Sequence, residues 1–273
     1  MASGPRISYV ICGSQRSGSN LLCEALWLAG AGRPDEYFIY WYMAARDPAG
    51  LQTDFARPWL VPPAEYLEKV LEKGTTPNGV FGVKIMWNYF DLVIDNLRAL
   101  PGYRDLPPPE VLGRAFPNLR YVYISREDKA RQAVSLAKAI QSRKWIAFGE
   151  RVFDEKRDHL WDFDRITYYT AKEGGDGGLA YDFEQIALLH KQVVDQDEAW
   201  ERYFEAAGTE PFRVVYEEFV RAYERTALDL LQFLGVAPGE AASFDKRAMK
   251  PQSDGVNDEW TRRFKEELAV RTS

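Results

Sequence analysis

A chain of 273 residues with 46% hydrophobic and 28% charged side chains carries enough apolar material for a large core. Since an α/β fold of this length is commonly one domain, residues 1–273 read as a single unit. The formal charge of -6 excludes a broad nucleic-acid-binding face and confines any anion site to a small basic pocket, while the 14% aromatic content points to a stacking surface or an aromatic-lined cleft.

Cys12 and Cys23 lack any CxxC or metal spacing and read as small buried hydrophobes in a reducing compartment. Polar residues from Gly13 to Ser19 interrupt the apolar segment Ile7 to Cys12, so no signal peptide or membrane span is expected and the protein reads as cytoplasmic. His159 and His190 have no ligand spacing and read as structural; no metal site is expected.

In chain order, Ile7 to Cys12 reads as a buried strand, Gly13 to Ser19 as a tight polar loop, and Asn20 to Ala29 as a helix closed by Gly30 and Gly32. A second buried strand is expected at Val80 to Met86, then a helix from Tyr89 to Leu100 that stops before Pro101 and Gly102. Arg120 to Ser125 alternates aromatic and β-branched residues as a third strand, followed by a helix from Lys129 to Trp145. A long helix from Asp182 to Ala207, a strand from Phe212 to Tyr216 and a helix from Phe219 to Leu234 follow. The run Arg262 to Glu267 reads as a solvated helix face with close-range ion pairs. Strands alternating with helices imply an α/β fold, a central parallel sheet flanked by helices. Ile39 to Pro63 and Phe148 to Gly178 fit neither period and read either as lid or substrate loops or as disordered connections.

The strongest local signal is Gly13-Ser14-Gln15-Arg16-Ser17-Gly18-Ser19-Asn20 between a strand and a helix, where backbone N–H groups and the helix N-terminus can surround a phosphate. The glycine spacing is that of a nucleotide-triphosphate P-loop, but Ser19 stands where that loop needs Lys and Asn20 where it needs a magnesium-holding Ser or Thr. What remains is an anion cradle with Arg16, suited to a nucleotide whose transferable group needs no metal, which favours sulfate over phosphate. Arg126 at the end of the third strand and Ser135 about two helical turns later either share a second anion pocket or are a surface ion-pair partner and an ordinary helix residue. Lys84, inside the apolar run Val80 to Met86, either points out of the strand end or serves an anion. Glu36 taken alone reads as a surface loop acid, and the aromatic run Tyr37 to Tyr42 either walls a site or packs in the core.

Taken together, Ser14 to Ser19, Glu36, the segment Pro77 to Asn88 containing Lys84, and Arg126 followed by Gln132 to Ser135 resemble the bacterial sulfotransferases typified by mycobacterial trehalose 2-sulfotransferase. The likeness runs from about Tyr9 to Trp145 and continues more weakly through Trp200, Tyr216 and Asp258 to Trp260. It implies a P-loop-like sulfotransferase fold and the donor 3'-phosphoadenosine 5'-phosphosulfate (PAPS), used without a metal. Gln15, Arg16, Ser17, Gly18, Ser19 and Asn20 would hold the 5'-phosphosulfate, and Arg126 and Ser135 the 3'-phosphate. Glu36 would be the base for an acceptor hydroxyl of a sugar or glycolipid, with Lys84 and Arg16 neutralising charge on the bridging oxygen. A homodimer is implied by the same analogy. Asn20 departs from the family's Thr, and the stretch Lys246 to Asn257 is longer than its counterpart, so Arg247 or Lys250 is a candidate to close over the 3'-phosphate. Two rival readings are a magnesium-dependent P-loop phosphotransferase and a non-catalytic nucleotide-binding protein on the same scaffold.

Overall fold

The computed structural model describes residues 4–46, 61–142, 178–238, 244 and 254–272. Four strands, β1 (Ile7–Gly13), β2 (Val80–Met86), β3 (Leu119–Ser125) and β4 (Phe212–Val215), form one sheet in the order β2-β1-β3-β4 with every pairing parallel. All residues of β1 and β2 are buried, as expected for strands covered on both faces, which read as continuous apolar runs rather than alternating ones.

Alternation along the strands splits the core into two layers. Val10, Cys12, Phe81, Val83, Tyr121 and Tyr123 face one cluster, whereas Tyr9, Ile11, Val122 and Ile124 face the other. The first cluster is closed by α3 (Pro63–Gly74), α4 (Phe90–Arg98), α5 (Pro108–Ala115) and the long α7 (Phe183–Ala206). The second is closed by α1 (Ser19–Leu28) and α9 (Tyr223–Leu234). A third cluster joins α6 (Lys129–Ser142), α7 and α10 (Gly255–Thr272), where Phe264 is buried and His190 packs near its ring. The exposed side of α10 carries the expected ion pairs, Arg262 to Glu266 at 2.9 Å and Arg263 to Glu267 at 2.7 Å.

Several boundaries differ from the sequence reading. Ile39 to Arg46, expected to be irregular, forms helix α2 (Ile39–Arg46), and Pro63 opens α3. Both α3 and α5 begin with Pro at the first turn, where the missing N–H costs nothing, and neither was expected. The helix expected from Phe219 to Leu234 starts earlier and is two helices, α8 (Tyr216–Arg221) and α9, because Ala222 leaves helical geometry at φ -126°, ψ 43°. The final residues of the helix expected to reach Trp145, residues 47–60 of the first irregular stretch and 148–177 of the second, and His159, Arg247 and Lys250 lie outside the described residues. Among the described residues no helix is long and apolar enough to cross a membrane.

The strand order positions the site. β2 lies on one side of β1 and β3 on the other, so the chain leaving β1 at Gly13 enters the crevice of a topological switch point. Gly13 pairs with Met86 and with Ile124, which brings the residues after all three strands to one edge.

Candidate active site

The loop after β1 is held from below by side chains. At Gly13 a Cβ would come within 2.8 Å of the Ile124 carbonyl oxygen, so the strand ends on a residue that only glycine fits. The Gly13 carbonyl accepts a hydrogen bond from Trp200 Nε1 at 2.9 Å. Ser14 Oγ donates to Asp197 Oδ1 at 2.6 Å and accepts from Gln132 Nε2 at 2.9 Å, and the same Gln132 amide donates to the Gln15 carbonyl at 2.8 Å. Lys129 closes an ion pair with Asp197. These contacts from α6 and α7 fix Arg16 at φ 66°, a left-handed geometry that costs a non-glycine residue about 1 kcal/mol and is found where a loop is built for a purpose. Gly18, at φ 92°, opens α1 without a side-chain cap, which leaves the first-turn N–H groups available to a ligand at the loop.

Two arginines converge here. Arg16 Nε donates to Ser135 Oγ at 3.0 Å, which ties the first-loop arginine to α6. Burial pushes the Arg16 guanidinium down to about 10, and the nearby Arg126 adds to that fall. Arg126 is lowered chiefly by burial as well, against the opposing pull of Tyr216 and Glu217. Its Nε lies 3.5 Å from Glu217 Oε1 without hydrogen-bond alignment and has no other partner among the described residues. Ser17 Oγ is likewise buried and unpartnered among them. Desolvated like charges and orphaned donors at one edge are what an anion would relieve.

Beside the loop sits a second cluster. Lys84 points to the α1 side of β2, is almost fully buried, and pairs with Glu36 Oε2 at 2.9 Å and with Asn20 Oδ1. Asn20 therefore serves as a lysine acceptor. Asp35, next to Glu36, accepts the Glu36 N–H at 2.7 Å through Oδ1, and its carbonyl accepts the Lys84 N–H at 2.8 Å. Burial raises the Asp35 carboxyl to about 7 against the opposing field of Lys84. The Tyr89 hydroxyl is pushed far up by burial and then by Glu36, against which it lies.

A cavity of about 1040 Å³ opens over both groups. Gln15, Arg16, Ser19, Asn20, Glu36 and Lys84 line it. Ile39, Tyr42 and Met43 of α2, Trp87 and Asn88 after β2, and Gln192, Gln196 and Ala199 of α7 are also part of its wall. Ser17, Gly18, Arg126 and Ser135 are not in that wall: Ser135 stands behind Arg16, and Arg126 stacks on Tyr216. The aromatic run divides, with Tyr37 and Phe38 before α2 and Tyr40 within it in the core, and Tyr42 of α2 on the cavity. Sequence reasoning singled out neither Asp35 nor Asp197. The one available signal was for Asp197, an acid at a core position in line with Val193, Trp200 and Phe204 on one helix face.

A family model described as Stf0 sulphotransferase matches residues 8–267. A protein named trehalose 2-sulfotransferase from Mycolicibacterium smegmatis is 30% identical over 278 residues, covering 94% of this chain and 94% of its own. Its namesake from Mycobacterium tuberculosis is 27% identical over 285 residues, covering 95% and 94%. A sulfotransferase domain from the Synechococcus PCC 7002 olefin synthase aligns over 98% of this chain and 96% of its own with 15% identity and a TM-score of 0.33, too low to bear on the argument.

Proposed function

The chain belongs to the Stf0 sulphotransferase family, and on that footing we propose that it moves a sulfuryl group from PAPS onto a carbohydrate hydroxyl, with Glu36 as general base. The observation that carries this reading is the Glu36–Lys84 pair at 2.9 Å, placed in one cavity with Arg16 and the first turn of α1. The names of the two relatives make trehalose the first acceptor to test.

The residues fit such a donor: Ser17 Oγ and Arg126 Nε are buried without a hydrogen bond among the described residues, and Arg16 and Arg126 are both lowered chiefly by burial, all of which a bound anion would relieve. Gln15 to Asn20 would hold the 5' end, and Arg126 and Ser135 the 3'-phosphate. Ser135 supports the donor site by holding Arg16. Bound there, PAPS supplies a sulfuryl group and leaves as the 3',5'-bisphosphate. Glu36 removes the proton of the attacking hydroxyl, so a new O–S bond forms as the bridging S–O bond breaks and the proton stays on the carboxylate. Lys84 and Arg16 offset the negative charge that grows on the departing oxygen. Tyr42 and Trp87 offer aromatic faces for sugar rings, and Asn88, Gln192 and Gln196 offer amides for hydroxyls.

Calorimetric titration with 3'-phosphoadenosine 5'-phosphate (PAP), against ATP with magnesium, tests the donor assignment. Magnesium-independent binding of PAP, lost in Arg126→Ala, is expected; a preference for magnesium-ATP would replace this reading with a phosphotransferase.

A further inference from the structure

Tyr216 packs against both the Gly18 turn of the anion loop and the guanidinium of Arg126. Its place follows from the sheet: Val215 pairs with Ser125 in parallel register, so Tyr216 and Arg126 leave adjacent strands side by side. The Arg126 Cζ stands 4.7 Å from the Tyr216 ring centroid. On the loop side, Gly18 meets the same ring so closely that a Cβ there would overlap its Cδ2 and Cε2. The next residue, Glu217, accepts the Glu127 N–H at 3.0 Å and lies 3.5 Å from the Asp128 nitrogen, pinning the turn behind Arg126. One dipeptide at the end of β4 thus touches the glycine of the loop, the guanidinium of the second anion group and the main chain that carries it.

We propose that Tyr216 is a positioning residue whose ring spaces Arg126 from the Gly18 loop and so makes the site selective for a nucleotide phosphorylated at both its 3' and 5' ends. This rests on the donor proposed above. A flat ring is what the geometry uses: it fills the space left by the missing Cβ of Gly18 and gives the guanidinium a face to lie on. The hydroxyl has no part in it. An aliphatic side chain of similar bulk would fill the gap without offering the face.

The test is calorimetric titration of PAP and of adenosine 5'-phosphate into the wild-type chain, Y216F, Y216L and Y216A, with thermal midpoints as a check of folding. Y216F should keep the wild-type preference for PAP. Y216L and Y216A should each lose about tenfold in PAP affinity, the size expected for a desolvated cation–ring contact, while adenosine 5'-phosphate binding changes far less. If Y216A does not fold, Y216L carries the comparison. Equal loss of both nucleotides in the folded variants, or no loss of either, overturns the proposal. A wild-type chain that does not distinguish the two nucleotides overturns the donor reading itself.

Discussion

Lys84 Nζ lies 2.9 Å from Glu36 Oε2, with the lysine side chain 4% exposed and the glutamate 23%. A lysine in a fully buried strand survives there because its charge is met by a carboxylate and an amide oxygen, Glu36 and Asn20.

Removing one member of this pair should separate stability from turnover. Lys84→Met leaves the partly exposed Glu36 without its cation and should destabilise by about 1–3 kcal/mol, read from urea unfolding. In Glu36→Gln plus Lys84→Met part of that loss should return, while sulfuryl transfer stays absent. A double variant no more stable than Lys84→Met would mean that the pair does not carry the cost.

Glu36→Gln alone should lower turnover at least about 100-fold and leave PAP affinity unchanged, since the proton acceptor is removed and the anion site is not. Single-turnover kinetics beside PAP titration separate the two effects. Retained turnover would remove Glu36 as the base.

Asp35 gives the fold a pH dependence of defined sign. Its carboxyl is raised to about 7 when folded, so between the ordinary carboxylate range and that value the native chain keeps a proton that the unfolded chain has lost. This contribution is complete below the unfolded value and is lost as pH rises towards 7, with a limiting slope of about 1.4 kcal/mol per pH unit. Asp35→Asn should abolish that slope. Denaturant midpoints from pH 4.5 to 8 for both proteins check it, and parallel curves would contradict it.

The brace beneath the loop predicts a variant outside the cavity wall. Asp197→Ala strips Ser14 and Lys129 of their acceptor and should cost about 1–3 kcal/mol while weakening PAP binding. Asp197→Asn, which keeps an oxygen for Ser14, should cost less. Equal unfolding midpoints and equal PAP affinities in the wild type and Asp197→Ala would show that the loop holds its shape without α7.

The strands and the anion loop could be read from the chain because their signals are local: continuous apolar runs at Ile7 and Val80, and two glycines at the spacing a phosphate loop needs. Helices α3 and α5 escaped notice because Pro63 and Pro108 sit in proline-rich surroundings that also describe a loop. The break at Ala222 carries no Gly or Pro to announce it. Glu36 reads as a site residue only through family likeness, whereas Lys84 stands out as a lysine inside an apolar run, and their contact joins the loop after α1 to a neighbouring strand. Asp35, Asp197 and Tyr216 act through partners supplied by other elements, and no periodicity encodes such meetings.

Helix α7 divides its labour by face. Val193, Asp197, Trp200 and Phe204 are turned into the protein, where Asp197 and Trp200 hold the anion loop, whereas Gln192, Gln196 and Ala199 look into the cavity. A lineage exploring new acceptors could therefore rewrite the second row freely while selection holds the first row still. Because the rows are interleaved along one rigid rod, any insertion or deletion within it would rotate both together. Diversification along this helix is thus open to substitution and closed to changes of length.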